Sequence, residues 1–427
     1  MRAAAPQAAA LRVCGLKRCA MKYWACVILT LLGTQAVFAA QPATASAADR
    51  AAAVKSSNAF AVDLYRQLRT ERGNLFFSPE SISTAFGMAY AGARGQTAAE
   101  MARVFHFTLP EDQLQPAMGA LLAGMNGPHK GYQLRVADAL WAQEDESFLP
   151  GYLKLVETNY GAGFHRVNFR TSSELVRNTI NRWVEQQTNH KIRELIGPGV
   201  LTPATRLVLT NAIYFKGEWL NPFEKAATHD EEFHLSTSRT VQTPMMHRTG
   251  SYRYYDGGSF QALEMPYAGG DLAMVVLLPR EIGGLPALEG SFTAAAAARW
   301  MEDLKPAPKV ILTLPRFTMT RQFELRGVLS RMGMAQAFGR EADFSGMTGE
   351  PGFTISAAIH KAYIDVNEEG TEAAAATSTV FSATAVMRRM PEPPPIIFRA
   401  DHPFLFLIRD LHTGSILFMG RVVDPAE

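Results

Sequence analysis

Between Asn367 and Met387 the chain alternates in a way that suits a strand with neighbours on both sides. Counting in twos, the first set of positions is Thr371, Ala373, Ala375, Thr377, Thr379, Phe381 and Ala383. This set holds one large residue, no charge and no proline, and Glu372 falls on the opposite set. A strand that enters a sheet must pack one face and offer its backbone N–H groups to its neighbours. The pattern therefore favours insertion of this segment into a sheet. Such insertion depends on hydrogen bonds of the main chain and not on a reactive side chain.

Local propensity allows a second interpretation of the same residues. Glutamate and alanine are good helix formers, and Thr371 is a suitable N-cap, so a short helix is the alternative. Prolines begin only at Pro391 and continue through 393–395. They predict a stiff, extended stretch beyond the part that could insert.

Catalytic and metal-binding motifs are missing from the sequence. Gly257-Gly258-Ser259 lacks the second glycine of a nucleophile elbow, and there is no H-E-x-x-H, paired His/Cys ligand set or P-loop. His106, His165 and His229 are interpreted as surface or hydrogen-bonded polar residues. The sequence thus predicts no catalytic residue, no metal and no cofactor, and the protein is not expected to be an enzyme.

The amino-acid composition limits the classes of partner and of chemistry that we expect for the protein. The 427 residues carry a formal net charge of +2, with 47% hydrophobic and 19% charged residues. This balance gives no electrostatic reason to expect a nucleic acid partner. The three cysteines, Cys14, Cys19 and Cys26, all lie near the N-terminus. The rest of the chain therefore has neither a disulfide framework nor a thiol nucleophile.

The N-terminus has the three-part layout of a secretory signal. Basic residues up to Lys22 precede the apolar run 24–32, and small residues follow. We expect a signal peptide over 1–39, with Met21 as an alternative start and a membrane anchor as the alternative interpretation. A disordered extension over 40–49 and one domain over 50–427 would follow. The expected location is periplasmic or extracellular, without membrane attachment after signal removal.

Helical and strand patterns are mixed along the remaining chain. Helices are predicted over Arg50–Leu68, from Ser78 to near Gly92, and over Ser173–Gln187 and Gln322–Met332. Strands are predicted over Leu134–Gln143, Leu207–Lys216, Leu272–Leu278, Val310–Phe317, Phe404–Ile408 and Ile416–Val423. Leu207–Lys216 and Leu272–Leu278 are nearly continuous apolar runs, which indicates burial on both faces. The absence of regular βαβ alternation predicts a large α+β domain.

Several segments together resemble the serpin family. They are Asn74-Leu-Phe-Phe-Ser-Pro-Glu-Ser-Ile, Thr210-Asn-Ala-Ile-Tyr-Phe-Lys-Gly-Glu-Trp with Pro222-Phe223, Ala342-Asp-Phe-Ser-Gly, His360-Lys-Ala, Asn367-Glu-Glu-Gly-Thr-Glu-Ala-Ala-Ala-Ala-Thr, Phe398-Arg-Ala-Asp-His-Pro-Phe-Leu-Phe-Leu-Ile and Gly420-Arg421. They occur in the family's order and cover essentially everything after the signal. The resemblance implies a single large monomeric domain with three β-sheets, surrounding helices and an exposed reactive-centre loop.

The resemblance also implies a mechanism. A serine protease attacks the loop, and the hinge then inserts into the central sheet and traps the acyl-enzyme. The implied hinge residues are Glu368, Glu369, Gly370, Thr371, Glu372, Ala373, Ala374, Ala375, Ala376 and Thr377. Counting from Gly370 places the reactive bond between Thr384 and Ala385, which suits an elastase-like or subtilisin-like protease. A shifted register would offer Arg388 or Arg389 to a trypsin-like enzyme. A non-inhibitory carrier or chaperone remains the alternative function.

Two further groups of residues match the family pattern. Ser78, Ser81, Asn211 and His360 match a polar cluster beneath the point where the sheet opens, called the sheet-opening cluster below. Glu368 and Arg316 match an ion pair at the top of the sheet, near Trp219. Between Glu111 and Arg135 the only basic residues are Lys130 and Arg135. A heparin-like cofactor is therefore not expected.

Overall fold

Amphipathic segments form helices around the sheets. The computed structural model describes residues 45–161, 163–371 and 394–427. The helices are α1 (Ala47–Leu68), α2 (Pro79–Tyr90), α3 (Gly95–Val104), α4 (Glu111–Asn126), α5 (Pro150–Tyr160), α6 (Phe169–Gln187), α7 (Leu285–Ser291), α8 (Ala294–Glu302), α9 (Leu325–Arg331) and α10 (Ser345–Thr348). Because the Ser46 side chain caps α1, that helix begins before the expected boundary at residue 50. Within these ranges no helix has both the length and the apolarity needed to cross a membrane.

Apolar and alternating segments form the strands. They are β1 (Leu75–Phe77), β2 (Tyr132–Gln143), β3 (Phe164–Val167), β4 (Leu207–Glu218), β5 (His229–Ser236), β6 (Arg239–Asp256), β7 (Phe260–Pro266), β8 (Leu272–Pro279), β9 (Lys305–Pro315), β10 (Phe317–Glu324), β11 (Ile355–Val366), β12 (Gly370–Thr371), β13 (Ile396–Arg399), β14 (Phe404–Asp410) and β15 (Ile416–Val422). Strands and helices intermix as an α+β domain requires.

The central sheet has the strand order β10-β11-β12-β4-β2-β3. Its strand β4 is buried along nearly its whole length, as its continuous apolar sequence predicts. One face packs against α6, where Ala137, Ala212 and Ala357 meet Ile180 and Val184. The other face belongs to the main hydrophobic core. The sheet is therefore a middle layer, and anything added to it must fit between two packed surfaces.

The remaining strands follow the order β1-β15-β14-β8-β7-β6-β9-β13, with β5 paired to β6. The long strand β6 joins two parts of this arrangement. Its first part pairs with β5 and its last part, Arg253–Asp256, pairs with β7. Its pairing with β9 shifts register between Gly250 and Tyr252, which separates the two parts. Together with the central sheet they make the three sheets that the resemblance implies.

Two predicted boundaries were wrong. The predicted strand Val310–Phe317 is split at Arg316, and its halves belong to different sheets. The predicted helix Gln322–Met332 begins only at Leu325, because Gln322 to Glu324 pair with β11 as part of β10. The Glu324 side chain then caps α9. In both places one element follows the other with almost no linker. The residue pattern therefore did not show where the first element ends and the second begins.

Candidate functional site

Two of the predicted hinge residues, Gly370 and Thr371, already lie in the central sheet. Thr371 pairs with Val366 of β11 on one side and with Gly217 of β4 on the other. Gly370 pairs with Glu218. Strand β12 therefore fills the gap between β4 and β11 at one end of the sheet, antiparallel to both.

Below β12 the two neighbours pair directly with each other. Their parallel register runs from Leu207 with Ile355 to Tyr214 with Tyr363. Beyond Tyr214 and Tyr363 the strands diverge to admit β12. The sheet thus has a seam between β4 and β11 that is closed along most of its length and open where the hinge begins.

A tight turn connects β11 to β12. The Asn367 N–H donates to the Gly370 oxygen at 2.8 Å, and the Gly370 N–H donates back at 3.2 Å. Gly370 has a φ of 151°, and a Cβ at this position would stand 1.9 Å from the Gly217 oxygen. Only glycine fits there, because a side chain would collide with the backbone of β4. The turn therefore sets the hinge at the mouth of the seam.

Thr371 is held by an aromatic pair. It has no exposed surface, and its hydroxyl lies 3.0 Å from the Tyr267 hydroxyl. Burial raises the pKa of Tyr267, so its hydroxyl stays protonated. Tyr267 stacks on Trp219, with ring centroids 4.6 Å apart. The Thr371 side chain thus faces the main core, and every second residue after it would face the same way in a continued strand.

Trp219 also anchors the turn through hydrogen bonds. Its indole N–H donates to the Asn367 oxygen at 2.9 Å, and its backbone N–H donates to the Glu369 oxygen at 2.8 Å. The Phe223 N–H donates to the Glu368 oxygen at 2.8 Å. The segment after β4 therefore holds the main chain of the hinge on its outer side.

Two ion pairs flank the same turn. Arg316 Nε lies 3.7 Å from Glu368 Oε2, so the two residues expected to pair lie together. Arg316 is about half exposed, and such pairs contribute about 0–1 kcal/mol. Lys225 Nζ lies 2.6 Å from Glu369 Oε1, a pair that the sequence did not indicate. The hydrogen bond to Glu369 raises the pKa of Lys225.

The sheet-opening cluster is one buried hydrogen-bond network. The Ser78 N–H donates to His360 Nε2 at 3.2 Å, which leaves His360 Nδ1 to donate to Asn211 Oδ1. The Asn211 amide donates to Ser81 Oγ at 2.5 Å and to Asp138. Asn211 and His360 are register partners across the seam. Their hydrogen bond must break when another strand passes between β4 and β11.

Asp138 and Thr84 complete this network and were missed from the sequence. Thr84 Oγ1 donates to Asp138 Oδ2 at 3.1 Å, and Ser81 Oγ donates to Oδ1 at 3.3 Å. Burial raises the pKa of Asp138 to about 8 against the opposing effect of these hydrogen bonds. Burial lowers the pKa of His360 to about 3. Both groups are therefore neutral at pH 7 in the folded protein.

Asp138→Asn should change how stability depends on pH. A carboxyl with a raised pKa contributes its full stability below the unfolded value near 3.8 and loses it as the pH rises through about 8. Asparagine does not titrate, and its Oδ1 can accept from Asn211 and Ser81 while its Nδ2–H group donates to Thr84 Oγ1. We expect the urea midpoint of the wild type, relative to the variant, to fall steadily between pH 5 and pH 8. His360 titrates in both proteins, so its effect cancels in the difference between the two midpoints. A difference that stays constant with pH would show that Asp138 does not titrate in this range.

The remaining predicted site residues lie outside the described residues. They are Glu372, Ala373, Ala374, Ala375, Ala376, Thr377, Thr384, Ala385, Arg388 and Arg389. Their roles stay predictions. Of the histidines, His106 lies 2.8 Å from Asp63, as a hydrogen-bonded polar residue should. His165 is partly exposed, and its buried Nε2 has no hydrogen-bond partner among the described residues.

Comparisons with known proteins agree with this geometry. The family model described as Serpin (serine protease inhibitor) matches residues 55–425. The chain is a serpin. It is 41% identical to an uncharacterised serpin-like protein of Thermococcus kodakarensis, over 88% of this chain and 86% of the relative. It is 40% identical to the leukocyte elastase inhibitor of Homo sapiens, over 86% of this chain and 97% of the relative.

Solved structures show the same fold. Uncleaved ovalbumin superposes with a TM-score of 0.78 and 31% identity, over 88% of this chain and all of ovalbumin (100%). Human thyroxine-binding globulin gives 0.79 and 33%, over 88% of this serpin and 100% of the globulin. The strand β12 and its seam are thus features of a serpin central sheet.

Proposed function

We propose that this serpin is an irreversible suicide-substrate inhibitor of serine endopeptidases. The observation that carries the proposal is β12, in which Gly370 and Thr371 already pair between β4 and β11. Continued insertion of the same chain needs no new topology, because β12 points along the seam. The protein would act as a trapped substrate and not as a catalyst.

The side-chain pattern supports insertion beyond Thr371. Since Thr371 faces the main core, residues 373, 375 and 377 would face it too. These residues are Ala, Ala and Thr, and side chains this small fit between the packed layers once β4 and β11 have separated. Glu372 would point to the other face. The direct pairs between β4 and β11, including Asn211 with His360, would separate as the strand enters.

In the proposed reaction the serine hydroxyl of the protease attacks the carbonyl of Thr384. The bond to Ala385 breaks, and Ala385 becomes a new N-terminus. The acyl-enzyme is then carried along as the hinge inserts. A small residue at the bond suits an elastase-like or subtilisin-like protease, and the similarity to a protein named leukocyte elastase inhibitor supports this choice. Arg388 or Arg389 would instead suit a trypsin-like enzyme.

We expect the protein to form an SDS-stable covalent complex with an elastase-like protease. The reason is that acyl transfer precedes insertion, so the trapped species is an ester. Gel electrophoresis detects the complex, and mass spectrometry of the released C-terminal fragment locates the bond. A fragment that begins at Ala385 supports the favoured register, whereas one that begins at 389 or 390 supports a trypsin-like target. Cleavage without any complex across a panel of serine proteases would overturn inhibition.

One cavity favours a second candidate function, that of a small-molecule carrier. A cavity of about 740 Å³ lies between α1, α8 and β14, with Val54, Ala297, Met301 and Leu407 in its lining. A structural relative is named thyroxine-binding globulin. Cleavage without complex formation in the experiment above is the result that this carrier function predicts.

The site of action is part of the proposal. The basic, apolar and small-residue pattern of 1–39 supports export to the periplasm or the extracellular space. There the serpin would act as a monomer on proteases from its surroundings.

A further inference from the structure

Two histidines and a glutamate meet on one face of the paired strands β5 and β6. His229 and Glu231 lie two residues apart on β5, so both side chains leave the same face of the strand. Met245 of β6 is the register partner of His229, and His247, two residues further along β6, leaves that strand on the same face. Glu231 Oε1 lies 2.7 Å from His229 Nε2 and 2.6 Å from His247 Nε2. Their ligand atoms all lie within 4.8 Å of one another.

Neighbouring residues orient two of these three side chains. Thr313 Oγ1 lies 3.2 Å from His247 Nδ1. Without an ion, His247 Nε2 donates to Glu231 Oε1. With an ion bound, Nδ1 would donate to the Thr313 hydroxyl and leave the Nε2 lone pair for the metal. Arg399 binds the other carboxylate oxygen, Oε2 of Glu231, and so directs Oε1 toward both imidazoles. Hydrogen bonds of this kind to the outer atoms of ligating side chains are a common feature of metal sites.

We propose that His229, Glu231 and His247 form a binding site for a divalent transition metal ion of the Zn²⁺ class. Two imidazoles and one carboxylate are a donor set that Zn²⁺ accepts, with water in the fourth position. The Nε2–Oε1 separations would widen to about 3.3 Å to fit tetrahedral ligands about 2.0–2.1 Å from the ion. His229 can make this adjustment because its side chain is 63% exposed. The rings of His229 and His247 are stacked, with centroids 4.6 Å apart and an interplanar angle of 8°, so the exposed His229 ring would have to turn to aim its Nε2 lone pair at the same point as that of His247.

The site would join three strands. The ion would hold β5 to β6 directly, and Arg399 connects Glu231 to β13, the strand that follows the reactive-centre loop. The proposal is independent of protease inhibition. Mg²⁺ and Ca²⁺ should bind poorly, because they prefer oxygen ligands over imidazole.

The test uses untagged full-length protein, stripped of metal with EDTA and dialysed. Isothermal titration with ZnCl₂ should show one ion per chain, and CoCl₂ should produce the strong visible absorption of a four-coordinate cobalt site. His229→Gln and His247→Gln should each weaken Zn²⁺ affinity by at least about tenfold, and Thr313→Val by about tenfold through loss of orientation. MgCl₂ at the same concentrations should give no heat of binding.

His412→Gln is the matched control. His412 is exposed and lies 2.8 Å from the Asp271 carboxylate, a His–carboxylate pair like those of the cluster but outside it. This variant should keep wild-type Zn²⁺ affinity. Circular dichroism of each metal-free variant shows whether it is folded, so that lost binding is not mistaken for lost structure. Absence of Zn²⁺ and Co²⁺ binding by the wild type, or equal loss in His412→Gln and the cluster variants, would overturn the proposed site.

Discussion

Replacing Thr371 by arginine should, under the proposed mechanism, make this serpin an ordinary substrate of its target protease. Thr371 is fully buried between β4 and β11, and its hydroxyl contacts Tyr267. An arginine would carry a charge into this space, where loss of hydration costs several kcal/mol. Hydrolysis of the acyl-enzyme takes place on the protease and should not change. Because each 1.4 kcal/mol alters a rate about tenfold, the stoichiometry of inhibition should rise at least about tenfold.

Thr320→Arg is the control for the added charge. Thr320 is an exposed residue of β10, in the same sheet but away from the seam. This variant should form the covalent complex as efficiently as the wild type, measured by gel densitometry against titrated protease. If Thr371→Arg also formed complex with unchanged stoichiometry, the sheet would not be receiving the hinge.

The sequence predicted the structure best where a single residue pattern determined the element. The continuous apolar runs of β4 and β8 predicted strands buried on both faces, and the structure shows both. It was least informative at junctions, because Arg316 separates two strands of different sheets without a turn signal. Similarly, Gln322 to Glu324 match a helix pattern locally, but β11 recruits them into the sheet. Pairing with distant residues overrides local propensity at such points.

The residues of the candidate site were likewise predicted in part and missed in part. The family resemblance supplied Ser78, Ser81, Asn211 and His360, which the fold joins in one network. Asp138 had a signal that was overlooked, since it shares the apolar parity of Leu134, Val136 and Leu140 in β2. A carboxylate on a core-facing parity predicts a buried polar network.

Other partners had no local signal at all. Tyr267 is distant in sequence from Thr371, and Lys225 from Glu369. His229 and Glu231 share a strand face, but only the β5–β6 register adds His247. Contacts of this kind depend on the register of paired strands, which a single sequence does not contain.

Cleavage of the loop should raise the thermal stability of the protein by a large amount. After cleavage between Thr384 and Ala385, the chain beyond Thr371 is free to continue β12 along the seam. The new strand makes ladder hydrogen bonds to both β4 and β11 and replaces the direct ladder between them. A net gain of about ten hydrogen bonds, each worth about 1 kcal/mol, contributes on the order of 10 kcal/mol. At roughly 2 °C per kcal/mol in a large domain, the unfolding midpoint should rise by about 20 °C.

Differential scanning calorimetry before and after limited proteolysis measures this shift, with mass spectrometry to show that the cut lies within 384–393 and leaves enough chain beyond Thr371 to form the new strand. A protease that is not inhibited can be used, so the result does not depend on finding the target. In Thr371→Arg the arginine would be excluded from its place between β4 and β11, so insertion of the loop after the same cut would have to bury the charge, and the gain should be much smaller. A cleaved wild type that melts within about 2 °C of the intact protein would contradict insertion. That shift corresponds to only about 1 kcal/mol, too little for a strand paired on both sides.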